Sequence, residues 1–235
     1  GANLTAESGR IELGSVGPNS RVGFNQADSG LTLNYGGVNN FGDIQLRSRS
    51  SVDASGEGGG EIQVRGGRIS VTGDSVILAL TEGALPGGSL TVSASESLEL
   101  IATGIDSFTP SSLRTETQNL GSAGDLTVTT GSLTVLNGAQ ISTSSFSPGS
   151  GGDLSVNASG DVEISGTTRE GRPSSLAAAT IGFAPGGSLS INSDRLTLQQ
   201  GALVSTSTLR GNQPGGEVTV NTRELRILEG SQLST

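Results

Sequence analysis

An all-β fold is predicted, a right-handed parallel β-helix of about 7–8 coils with three short strands per coil. Three observations carry that expectation. Glycine supplies 38 of 235 residues, roughly twice its usual share. A signature of small residue or Gly, Gly, polar residue and an apolar-polar-apolar triplet recurs, with its second glycine at 60, 88, 124, 152, 187 and 216. Within each copy the triplets alternate with period two in β-branched residues and Leu, the pattern of a short strand with one buried face.

Taken in order, degenerate copies open at Gly1-Ala2-Asn3-Leu4-Thr5-Ala6 and Phe41-Gly42-Asp43-Ile44-Gln45-Leu46. Full copies follow, such as Gly151-Gly152-Asp153-Leu154-Ser155-Val156, spaced by 28, 36, 28, 35 and 29 residues. A complete copy holds three strands: Leu126-Thr127-Val128, Leu133-Thr134-Val135, then Ile141-Ser142-Thr143 after Gly138-Ala139-Gln140. The seven-residue step from first to second triplet is not a helical heptad, because Gly, Ser and Thr oppose helix and turn residues bound each triplet. One such coil cannot bury enough apolar surface to offset the entropy of ordering it, so neighbouring coils must supply ladder hydrogen bonds and a common core. Right-handedness follows from the general preference for right-handed crossovers.

The whole chain, 1–235, reads as one array with three departures. Residues 15–41 leave the repeat and carry Phe24, Tyr35 and Phe41; strands at Val22-Gly23-Phe24 and Leu31-Thr32-Leu33-Asn34-Tyr35 would make an inserted hairpin. A longer period of 63 residues relates Pro110-Ser111-Ser112-Leu113 to Pro173-Ser174-Ser175-Leu176. It marks alternate coils as carrying extra residues at 102–111 and 165–174, expected as protruding loops on one side. The chain starts inside a repeat signature and stops at Thr235 within a third strand, so a fragment of a longer rod with no capping at either end is expected.

Composition narrows the chemistry. With no Cys, His, Met, Trp or Lys, the alphabet cannot build disulfides, thiolate or imidazole metal sites, lysine Schiff bases or a Ser-His-Asp triad. The expectation is no catalytic residue, no cofactor, no metal site and no enzyme. A net charge of −9 spread along the chain argues against nucleic acid as a partner. No apolar run reaches the ~20 residues of a membrane span. Asp125 and Asp153 open consecutive coils and suggest an acid/base pair or a calcium site, but Glu61, Ser89, Ser188 and Glu217 stand there in other copies, which favours a solvated turn. Hydroxyls at Ser142, Thr143, Ser205, Thr206, Ser234 and Thr235 suggest either an outward ladder for a lattice or structural stacking; Leu176-Ala177-Ala178-Ala179-Thr180 interrupts the row and favours the second. Candidate contact residues are Asp106 and Phe108 in one loop, Arg169 and Arg172 in the other, and Tyr35 in the insertion.

The repeats Gly-Gly-Asp-Leu-Ser-Val, Gly-Ala-Gln-Ile-Ser-Thr and Gly-Ser-Gln-Leu-Ser-Thr, with Val52-Asp53-Ala54-Ser55-Gly56, resemble the filamentous-haemagglutinin-like exoproteins of two-partner secretion, particularly the large cyanobacterial ones. The resemblance runs over nearly the whole chain, but its motif encodes a coil and not a site. It implies a right-handed β-helix secreted to the surface of a Gram-negative bacterium through an outer-membrane partner. The family's Asn-Pro-Asn-Gly type motif is absent, so that transporter would be met by a domain outside this segment. The expected function is a non-catalytic shaft of an adhesin- or fibre-like surface protein, with a glycan or protein receptor and end-to-end self-association as possible contacts. The rival is a β-helix that binds or degrades polysaccharide, against which the scarcity of aromatics counts.

Overall fold

The computed structural model describes residues 1–27, 30–103, 109–208 and 215–235. Among these residues it is all-β without helix, and its two large sheets are parallel throughout. This architecture is compatible with a β-solenoid.

One sheet has eight strands, Asn3–Thr5, Ser51–Asp53, Val76–Thr81, Ser112–Thr117, Gln140–Ser145, Ser175–Ala177, Leu203–Ser205 and Gln232–Ser234, paired in that order. Register places Leu4, Val52, Ile77, Leu113, Ile141, Leu176, Val204 and Leu233 in one file across it. The other sheet carries two such files. Ile11, Ile62, Leu90, Leu126, Leu154, Leu189 and Val218 form the first. Ile44, Ile69, Leu98, Leu133, Val162, Leu196 and Leu225 form the second. Apart from the exposed end residues Leu4 and Leu225, side chains of all three files belong to or pack against a single core, so Leu126, Leu154 and Leu189 share one interior.

The first and second triplets are more continuous than their spacing suggests. Glu61–Thr72, Leu90–Ile101, Leu126–Leu136, Leu189–Gln199 and Val218–Ile227 each run through both, while Leu154–Ala158 and Asp161–Ser165 stay separate. The reason is a corner that bends without losing its ladder. Register slips by one residue at Gly66/Arg68 and at Thr130/Ser132, so pairing resumes at once beyond the bend. The corner between second and third strands is sharper. It is built from two successive residues of positive φ, Asn137-Gly138, Gln200-Gly201 and Glu229-Gly230 among them.

The recurrent second glycine has a different origin. Gly124, Gly152, Gly187 and Gly216 have no positive φ. A Cβ on each would lie 1.8–2.1 Å from the carbonyl oxygen of the equivalent glycine one repeat earlier. Only a residue without a side chain lets the backbones stack this closely.

Within the insertion, Gly23–Ala27 pairs antiparallel with Gly30–Asn34. The pair is tied to the sheet by Leu33 N–H, which donates to Glu12 Oε2 at 2.6 Å.

Candidate functional site

Among the described residues an extended concave feature runs along the corner between the first and second strands. One position after each first-strand triplet, the outward side chains stack in register as Arg65, Ser93, Thr129, Asn157, Asn192 and Asn221. Five steps of ~4.8 Å make this column roughly 24 Å long. Three hollows of ≈ 230, ≈ 470 and ≈ 320 Å³ follow it. The first two share Ala94, Ser95 and Thr129, and the last two share Ala158 and Ser159, so they form one open groove. Its lining alternates hydroxyl and amide side chains with Ala94, Gly131 and Ala158, and apolar atoms make up most of the exposed wall of the first two hollows; Asn192 Nδ2 donates to Asn157 Oδ1 at 2.9 Å within the column.

The charged end of the groove is built by the insertion. The Arg65 guanidinium lies 5.0 Å from the Tyr35 ring centroid and 4.8 Å from that of Phe41, within cation–π range of both. The two rings are themselves in tilted contact at 5.9 Å. Among the described residues no carboxylate reaches Arg65 as a salt bridge. The nearby acid, Glu12, pairs with Arg10 and accepts Leu33 N–H. Tyr35 is only 7 % exposed, wedged where a side chain on Gly14 would collide with its hydroxyl. Burial pushes its phenol above the usual tyrosine value, the Glu12 charge adds to that shift, and Arg65 opposes it. Tyr35 therefore serves as a support for Arg65, while Phe41 and Arg65 line the groove. At the far end Arg223 pairs with Asp194, which cancels charge there.

The other candidate residues lie elsewhere. Asp106 and Phe108 lie outside the described residues. Arg169 is exposed and Arg172 half-buried in a tight turn, where Thr168 N–H donates to the Arg172 carbonyl at 2.8 Å. Neither arginine lines the groove. Asp125 and Asp153 act as coil-to-coil staples. Asp153 N–H donates to Asp125 Oδ1 at 2.9 Å, and Ser188 N–H donates to Asp153 Oδ1 at 2.8 Å. Among the described residues no group of acidic side chains is arranged to hold a metal ion.

The hydroxyl row is split by strand parity. Thr143 and Thr206 face inward, fully buried, and donate to the carbonyls of Gly152 at 2.6 Å and Gly216 at 2.5 Å. They close the glycine corner rather than presenting a lattice to solvent. A second device escaped sequence reasoning. Ser111 Oγ donates to the Ile101 carbonyl at 2.8 Å and accepts Asp74 N–H at 3.0 Å. Ser174 Oγ repeats this with the Ser165 carbonyl at 2.7 Å and Gly138 N–H at 2.9 Å. These serines clamp the bases of the two long loops; their recurrence at 63 residues was the available signal.

Among the described residues no helix is long and apolar enough to cross a membrane. No protein-family model, curated protein or solved structure matches the chain.

Proposed function

We propose that this chain is a non-catalytic shaft segment of a secreted surface protein, adhesin- or fibre-like, and that its strands wind as a right-handed β-helix of about 7–8 coils. The observation that supports this best is the unbroken register of three apolar files through a common core. Such a stack extends by adding like units and transmits little sequence information along its length, which suits a spacer. The polar chemistry supports the same reading. The Asp125 and Asp153 carboxylates and the Thr143 and Thr206 hydroxyls are spent on backbone groups of the corners.

In this reading the protein belongs with the filamentous-haemagglutinin-like exoproteins. It reaches the Gram-negative cell surface through an outer-membrane partner met by another domain, and it presents loops for weak, repeated contacts. Electron microscopy of the intact secreted protein tests the proposal. Thin rods with an axial repeat near ~4.8 Å are expected; compact particles would refute it.

A further inference from the structure

We propose that the corner groove binds an extended, carboxylate-bearing glycan, with one uronic-acid carboxylate in the fork of Arg65 and the following units laid over the Thr129 and Asn157 column. The inference rests on the groove alone and not on the shaft reading. Arg65 is fixed by Tyr35 and Phe41 while its charge has no salt-bridge partner among the described residues. A planar guanidinium held in this way is suited to bidentate recognition of a carboxylate. Beyond it the groove offers hydroxyls and amides at successive rungs, in register, from Ser93 to Asn221. A polyhydroxylated chain matches that row.

Other polymers fit less well. A peptide strand binds by adding to a sheet edge, but the backbones beneath this groove are already paired on both sides. A nucleic acid needs many cations along its phosphates, whereas among the described residues the one further arginine lining the groove, Arg223, is neutralised by Asp194. Sparse negative charge with many hydroxyls is the remaining chemistry. The chain's net charge of −9 does not forbid it, because distant surface charges are screened over ~8 Å at physiological salt.

The test is calorimetric titration of the whole chain with oligomers of alginate, galacturonate and hyaluronate, each beside its carboxyl-reduced neutral counterpart and beside polyglutamate. At least one uronate oligomer is expected to bind, and to lose roughly tenfold to a hundredfold in affinity on carboxyl reduction. Arg65→Gln should cause the same loss. Thr129→Glu, at an exposed position of the same hollow two rungs along the column from Arg65, should do so while leaving Arg65, Tyr35 and Phe41 themselves in place. Arg226→Gln, outside the groove, should leave binding unchanged. The proposal is overturned if no uronate binds at millimolar concentration, or if neutral and carboxylated oligomers bind equally. Stronger binding of polyglutamate, or a natively folded Thr129→Glu variant that binds as well as the parent, would also overturn it.

Discussion

Replacing Gly187 by alanine probes why the glycines recur. The new Cβ would sit 1.9 Å from the Gly152 carbonyl oxygen and 2.5 Å from its carbon. Both are backbone atoms, so no rotamer change relieves the clash, and the two coils must part by roughly 1 Å. Two neighbouring bonds cross the same gap: Leu154 N–H to the Ser188 carbonyl at 2.9 Å, and Ser188 N–H to Asp153 Oδ1 at 2.8 Å. Lengthened by that amount, both leave hydrogen-bond range. Two bonds at ~1 kcal/mol each, with ~1–3 kcal/mol for overpacking, give a loss of about 3–5 kcal/mol. The control is Gly37→Ala, where φ is not positive and nothing lies within 4 Å of the added methyl. That change should stay within about 0.5 kcal/mol. Urea denaturation followed by far-ultraviolet circular dichroism reads both. Equal midpoints for the two variants would refute the close-approach argument.

Three further outcomes follow from the same structure. Thr143→Val keeps the shape but strands the buried Gly152 carbonyl, and should cost about 1–3 kcal/mol in the same assay; an unchanged midpoint would contradict the inward hydroxyl. Ser174→Ala should speed amide exchange across 165–175, because Gly138 N–H and the Ser165 carbonyl both lose their partner; unaltered exchange would remove the loop clamp. Hydrogen bonds from Arg223 and from Arg195 hold Asp194 and Glu224 below their ordinary values of 3.8 and 4.5. A carboxylate depressed in the folded state stabilises above its unfolded value and loses that contribution as pH falls through its folded value. The melting temperature should therefore drop between about pH 5 and pH 2, and less steeply in Glu224→Gln. An equal slope in that variant would show that the pair contributes nothing.

Much of the fold was legible because each apolar triplet and each glycine sits at a fixed place in its copy. Stacking then follows from register: Leu126 pairs with Leu154 because both stand two residues after the second glycine. Strand parity was equally available. Counting from buried Ile141 puts Thr143 on the same inward face and Ser142 on the opposite face of the strand, where it is nonetheless covered, so the two hydroxyls never belonged to one row. The merging of first and second strands was not legible, since it depends on a register slip that only neighbouring coils reveal. The groove lay half in view. Arg65, Thr129 and Asn157 all follow the final apolar residue of a triplet, but nothing in the repeat says that Tyr35 and Phe41, from a non-repeating insertion, would close on Arg65.

The stacking itself can be measured with engineered cysteines, since the chain has no cysteine of its own. Thr91 and Thr127 are register partners on adjacent strands, half-exposed and pointing outward. Their Cα atoms lie ~4.8 Å apart, within the span a disulfide bridges. Thr91→Cys with Thr127→Cys should cross-link completely under mild oxidation, and so should Thr127→Cys with Ser155→Cys one rung further. Thr91→Cys with Thr129→Cys, displaced by two residues, should form little disulfide at the same rate. Comparable cross-linking in the displaced pair, or none in the register pairs, would contradict the in-register parallel stack.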